Sequence, residues 1–208
     1  MPETDKEHHS YQSPITLDKS NIIKIRQNLH LHGENKCAEY NCESKIYEVK
    51  DNIVLRIRSK YYRLLEYHFH VPGEHIIDHE CYKSEIHYVF VEITDDLTPY
   101  SREQHFTRDG EFPDVCSCKM PHNPSNILVI GRVITNSEEK ECLEKIKVKE
   151  PEKYFMYDGS LTTGNYAPVR WIVGQKPVDM NIEEIEKIAK KERPIQKLDG
   201  RIILYVDE

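Results

Sequence analysis

Three of the histidines within residues 64–90 of this chain, His68, His70 and His87, stand at spacings that suit metal ligation, with the carboxylates Glu66, Glu74 and Glu85. Two runs in that stretch, 64–71 and 85–93, are rich in aromatic and β-branched residues, and Pro72-Gly73 follows the first as a turn signal. Both runs read as β-strands. In a strand, residues i and i+2 project to the same face. His68, His70 and Glu66 therefore share one face, and Glu85 shares a face with His87. If the two strands pair antiparallel, three imidazoles converge. Three neutral imidazole nitrogens at about 2.0–2.1 Å from a divalent ion, with a fourth tetrahedral position left for water, form the donor set of a catalytic zinc site. The plainer alternative is three ordinary histidines of a half-buried sheet.

The carboxylates favour the metal. A ligating imidazole usually donates its second N–H to an acceptor, which fixes its tautomer and raises its basicity. Glu66 and Glu85 each stand two residues from a candidate ligand, on the correct face. As bare residues they are equally readable as solvated strand charges.

The rest of the chain must position these groups. Its 208 residues suffice for one domain with a real core. With 38% hydrophobic and 31% charged residues, the chain is polar but globular. A net charge of −7 argues against a nucleic-acid partner, which calls for a basic face. No apolar run reaches the roughly 18 residues of a membrane span. Residues 1–10 show no apolar signal core, so a cytoplasmic or otherwise non-secreted protein is expected. The six cysteines, Cys37, Cys42, Cys81, Cys116, Cys118 and Cys142, are then expected to be reduced thiols. The sequence says nothing of oligomeric state.

Residues 1–11 read as a loose tail and 12–208 as one mainly β domain. Residues 22–31 and 45–57 alternate apolar and polar, as half-buried strands do, with Asp51-Asn52 as a hairpin turn. Residues 94–126 read as a long irregular excursion carrying His105, Cys116, Cys118 and His122. That group does not have the spacing of a structural zinc site. Residues 126–135 form a near-continuous apolar run, a buried strand. A short helix is expected over 138–149. Another is expected over 181–191, with Asn181 as N-cap, Glu184 completing a capping box, and Ile182, Ile185, Ile188 and Ala189 on one face. A last strand spans 202–206.

The histidine stretch resembles the α-class carbonic anhydrases through His68-Phe69-His70, Glu74-His75 and Glu85-Ile86-His87. The resemblance extends over nearly the whole chain from Gln12. It includes Gln12-Ser13-Pro14-Ile15, the apolar strand with Val129, Gly159-Ser160-Leu161-Thr162-Thr163 followed by Trp171, Arg193-Pro194-Ile195-Gln196, and Leu198-Asp199-Gly200-Arg201. It implies a ten-stranded, twisted, mostly antiparallel central sheet with a few short helices. It also implies Zn2+ on His68, His70 and His87, and reversible hydration of CO2 to bicarbonate and a proton by a zinc-bound hydroxide. In that scheme Thr162 accepts the hydroxide's hydrogen and passes its own to Glu74. Thr163 meets bicarbonate, and Val89, Val129, Leu161, Val169 and Trp171 line the apolar side.

The chain also departs from the family. The longer aromatic segment before Gln12 is missing, and so is a cysteine common after the Thr-Thr loop. Gly164-Asn165 stands where Pro-Pro is usual, and that loop is one residue shorter. Glu43, Ser44 and Lys45 lie where a proton-shuttling histidine is common. Lys is too basic and Ser not basic enough to carry protons near neutrality, so proton export is expected to be slow unless Glu43 or buffer assists. The competing function is a carbonic anhydrase-like binding or adhesion protein with a retained zinc site and little activity. A weaker one is hydrolysis of activated esters at the same centre.

Overall fold

The computed structural model of the chain describes residues 11–93 and 126–207. All but Tyr11 of the expected tail therefore lies outside the described residues. So does all but Asn126 of the 94–126 excursion, including His105, Cys116, Cys118 and His122.

In chain order the strands are β1 (Thr16–Leu17), β2 (Ile22–Ile25), β3 (Leu29–His32), β4 (Glu39–Asn41), β5 (Ile46–Glu48), β6 (Val54–Ile57) and β7 (Lys60–His70). They continue as β8 (Ile76–Ile77), β9 (Glu80–Cys81), β10 (Ser84–Glu92), β11 (Ile127–Asn136), β12 (Lys153–Ser160), β13 (Pro168–Met180) and β14 (Ile203–Asp207). Eleven of them form one sheet, ordered β2-β14-β12-β13-β11-β10-β7-β5-β4, with β3 on β6 and β6 on β7; β1, β8 and β9 form a small second sheet. Within the large sheet only β11 with β13 and β14 with β2 pair in parallel. The mainly β, mostly antiparallel architecture is as expected.

One sequence expectation is corrected. Asp51-Asn52 is not a hairpin turn. β5 and β6 do not face each other but lie end to end along the same edge of β7. The reason lies in β7, whose 11 residues give it room for both. The Val49 N–H donates to the Leu65 carbonyl at 2.8 Å, and the Leu64 N–H donates to the Ile53 carbonyl at 2.9 Å, so β7 stitches both sides of the break.

Both helical expectations shorten. Within 138–149 only a 3-10 turn, Leu143–Lys145, is present. The Glu144 carbonyl is instead taken by the Ala38 N–H at 2.8 Å and Asn35 Nδ2 at 3.1 Å, and the Ile146 carbonyl also accepts from Asn35. Long-range donors thus occupy oxygens that an α-helix would use for itself. The second helix, α1, is only Ile182–Glu186. Asn181 caps it, accepting from the Glu184 N–H at 3.1 Å. Glu184 turns its carboxylate outward to Lys187 at 2.9 Å and Lys140 at 3.4 Å. Ile182, Ile185 and Ala189 are buried as expected. After α1 the chain straightens, and Lys190 bridges in parallel to His70, its N–H donating to the Phe69 carbonyl at 2.8 Å.

The sheet is buried on both faces where β7 and β10 lie. Tyr67, Phe69, Ile86, Tyr88 and Phe90 belong to one apolar cluster on one face. Val89, Val129, Val169 and Trp171 belong to a second cluster on the other, the face that carries the histidines. Cys37, Cys42, Cys81 and Cys142 are exposed free thiols. No helix among the described residues is long and apolar enough to cross a membrane.

Candidate metal centre and active site

Strands β7 and β10 pair antiparallel with His87 directly opposite His68 and Glu85 opposite His70. Cross-strand partners on one face stand close together. The three rings therefore gather, with centroids 5.1 Å apart for His68 and His70, 5.4 Å for His68 and His87, and 4.7 Å for His70 and His87. One nitrogen from each lies within 4.8 Å of the others, and all three residues are buried. A β-bulge at Leu65, where Val89 pairs with Glu66 but Phe90 pairs with Leu64, sets the face on which the row 66, 68, 70 emerges.

Each ring is oriented differently. His70 Nδ1 sits 3.1 Å from the Lys191 carbonyl. Its Nε2 is buried without a hydrogen-bond partner, the state expected of a nitrogen reserved for a ligand. His87 Nε2 sits 3.0 Å from Glu85 Oε1, which leaves Nδ1 to face the other rings. His68 Nδ1 lies 3.5 Å from Glu66 Oε1, too long for a formed hydrogen bond. Burial lowers the pKa of His68 and His70 well below the ordinary histidine value, and the positive charges nearby add to this. Neutral, buried, all-nitrogen donors suit a divalent ion such as zinc, so these residues fit the metal that the resemblance implies.

Glu85 has the role read from its spacing. Its Oε2 accepts the Glu74 N–H at 2.9 Å and the His75 N–H at 2.8 Å, while Oε1 meets His75 Nδ1 at 2.7 Å and His87 at 3.0 Å. Burial alone would raise its pKa, but the pull of His75 and His87 outweighs it and holds Glu85 well below the usual carboxylate range. His75 continues the network, its Nε2 2.7 Å from the Tyr157 hydroxyl, which lies 3.1 Å from Ser13 Oγ. His75, Glu85 and His87 could in principle hold an ion themselves. Their N···O contacts are hydrogen bonds already occupied by protons, so the set works as a brace for His87. His75 and Ser13 stand in motifs of the sequence with no task assigned to them, and Tyr157 joins them only in the fold. No local spacing links them, since Tyr157 is 82 residues from His75 and 144 from Ser13.

Glu66 is brought to the site but makes no such bond. Burial raises its pKa to about 7, and Lys190 pulls it partly back. Lys190 is itself lowered by burial, with Glu66 and Glu74 opposing that shift. In the metal-free protein this carboxyl is a stability liability. Below its unfolded pKa of 4.5 it is protonated in both states and has no effect. As pH rises from 4.5 towards 7 the unfolded chain ionises first, so stability falls, by at most about 3 kcal/mol. Glu66→Gln is therefore expected to be the more stable metal-free protein at about pH 8, with the two converging towards about pH 4.5. Urea unfolding at both pH values measures this, and equal midpoints at the higher pH would rule it out.

Glu74 lies on the loop after β7. Its Oε1 accepts the Arg193 backbone N–H at 2.7 Å and stands 3.2 Å from His70 Nδ1. Burial raises its pKa, opposed by His87, by a hydrogen bond with the Thr162 side chain and by the Arg193 N–H. Its Oε2 is buried without a hydrogen-bond partner. Thr162 and Glu74 thus meet although 88 residues separate them in the chain. Thr162 is buried and Thr163, its neighbour, half-buried.

Behind His87 and His75 stands Trp171, with ring centroids 4.8 Å and 4.9 Å away and its indole N–H donating to the Ser160 carbonyl at 2.9 Å. Val89 pairs with Val129, and Val129 with Trp171. Leu161 and Val169 join them in one buried apolar cluster. The residues expected to line the apolar side are therefore contiguous.

The chain matches a family model described as eukaryotic-type carbonic anhydrase over residues 3–206. It is 25% identical over 217 residues to a carbonic anhydrase of Nostoc sp., covering 93% of this chain and 75% of that protein. Its fold resembles that of an α-carbonic anhydrase of Photobacterium profundum, with a TM-score of 0.67 at 20% identity over 93% of this chain and 88% of the other. It also resembles an α-carbonic anhydrase of Thermovibrio ammonificans, solved in complex with the inhibitor sulfanilamide, with a TM-score of 0.64 at 22% identity over 93% and 86% of the two chains. Its matched length, its sheet and its trio of histidines on neighbouring strands place this chain in the eukaryotic-type carbonic anhydrase family.

Proposed function

We propose that this chain is a zinc-dependent carbonic anhydrase, catalysing CO2 + H2O to bicarbonate and a proton, reversibly, with zinc on His68, His70 and His87. The observation that carries the proposal is the geometry of three buried nitrogens within 4.8 Å of one another, with Glu85 bracing His87 at 3.0 Å. CO2 is uncharged and weakly electrophilic, so it needs a strong nucleophile at neutral pH. A divalent ion in such a centre supplies it by lowering the pKa of water.

The chain's own residues do the rest. Glu85 and the Lys191 carbonyl fix which nitrogens of His87 and His70 face inward. The Thr162 hydroxyl both donates and accepts. It accepts the hydrogen of the attacking oxygen and gives its own to Glu74, which aims a lone pair at the carbon. This direction requires Glu74 as an ionised acceptor, and the Arg193 N–H on Oε1 favours that state. The cluster of Val89, Val129, Leu161, Val169 and Trp171 is the apolar surface that would meet CO2, and Thr163 is the residue that would hydrogen-bond bicarbonate. Lys45 donates its ammonium to the Ala189 carbonyl at 2.8 Å. It is thus committed to a structural bond, and proton export depends on other groups or on buffer. The binding-protein alternative is not favoured, because His68, His70, His87, Thr162 and Glu74 are all present.

Purified protein is expected to hold about one zinc per chain, to hydrate CO2, to lose activity to a chelator and to regain it with zinc. A sulfonamide should inhibit, and added imidazole should raise the turnover at high substrate. Stoichiometric zinc with no hydration above buffer, even with imidazole present, would refute the proposal.

A further inference from the structure

The loop between β12 and β13 carries Thr162 and Thr163, and little within the loop stiffens it. Leu161 and Ala167 close its base, the Leu161 N–H donating to the Ala167 carbonyl at 2.8 Å. The Ala167 N–H is capped by Asn165 Oδ1 at 3.1 Å. Beyond that base, Gly164 sits at φ +69, and a Cβ there would meet nothing within 4 Å, so the tip faces open space. Tyr166 also has a left-handed backbone, φ 54, a conformation a bulky residue adopts only when its surroundings hold it there.

What holds Tyr166 is Arg193. The guanidinium carbon lies 3.9 Å from the centroid of the Tyr166 ring, within cation–π distance, although the ring is 38% exposed. Arg193 is itself pinned at several points. Its Nη1 donates to the Ser13 carbonyl at 2.8 Å and to Ser160 Oγ at 3.4 Å, and its Nη2 donates to Gln12 Oε1 at 3.0 Å. Its backbone N–H donates to Glu74. One residue therefore grips the partner of Thr162 through its backbone and the loop that presents Thr162 through its side chain.

We propose that Tyr166 is a positioning residue: stacked on Arg193, it holds the 161–167 loop so that the Thr162 hydroxyl stays on Glu74. The meaning of Thr162 rests on the function proposed above; the tether itself does not. An exposed cation–π contact is worth up to about 1 kcal/mol, or about fivefold in an equilibrium. Tyr166→Ala is therefore expected to speed hydrogen exchange at the Leu161 and Ala167 amides about fivefold and to lower kcat/KM by a similar factor. Zinc stoichiometry should not change, which separates loosening of the loop from loss of the fold. Tyr166→Phe keeps the ring face and should restore both exchange protection and kcat/KM. Exchange in Tyr166→Ala equal to wild type would overturn the proposal, as would Tyr166→Phe behaving like Tyr166→Ala. Exchange is measured on metal-free and zinc-loaded full-length protein, so the tether is judged even if the loaded protein fails to hydrate CO2. That failure would count against the proposed function alone.

Discussion

Replacing His87 by alanine is expected to weaken zinc binding by well over about 100-fold and to reduce CO2 hydration to the buffer rate. Loss of an outer hydrogen-bond partner of a ligand typically costs 10–100-fold in metal affinity, and here a donor itself is removed. His87 is central to the constellation. It stands opposite His68 across the strand pair, touches Trp171, and is the ring that Glu85 braces. Its removal leaves two nitrogens, too few to fix a tetrahedral ion with one open corner. Metal analysis after dialysis, competition with a chromogenic chelator and stopped-flow hydration are the measurements. Cooperative unfolding of the metal-free variant checks that the sheet survives. A His87→Ala protein that keeps stoichiometric zinc at wild-type affinity would contradict the assignment of the centre.

The second large effect concerns the hydrogen-bonded pair that aims the nucleophile. Thr162→Ala is expected to lower kcat/KM by about 100-fold, the size of effect that misplacing a reacting group produces, while zinc affinity stays near wild type. Glu74→Gln should do nearly the same. A glutamine keeps the shape and can still accept the Arg193 N–H, but its NH2 group then faces Thr162 as a donor, so the hydroxyl can no longer point the required way. Because the two groups act as one unit, the double variant should be little worse than either single one. Additive losses, or a Glu74→Gln enzyme of wild-type kcat/KM, would show that the pair does not orient the nucleophile. The pair differs from Tyr166 in scale, since the tether tunes a geometry that Thr162 and Glu74 constitute.

Much of this centre could be read before any coordinates, because a strand imposes a period of two. His-x-His and Glu-x-His are sufficient to put donors and their supporting carboxylates on one face, whatever the fold around them. The apolar run through Val129 and the capping asparagine at 181 are equally local statements, and both elements form. Local signals failed where distant atoms compete for the same backbone groups. Residues 138–149 do not coil because Ala38 and Asn35 take the Glu144 and Ile146 carbonyls. The break at Asp51-Asn52 became no hairpin because β7 offers a longer partner than β5 and β6 offer each other.

The chain's own spelling thus determined the donors proposed for the metal, their shared face and the family they resemble. Only the tertiary structure decided the register that sets His87 against His68, since a slip of one residue in a sheet turns every side chain to the other face. It also decided which carboxylate braces a histidine. Glu85 and Glu66 have the same spacing to a ligand, yet only Glu85 is reached by His75 and by the backbone N–H groups of the loop after β7. The Thr162–Glu74 pair and its Arg193–Tyr166 support join segments far apart in the chain. Such contacts have no period and no local propensity, and they come into being only when the sheet closes around them.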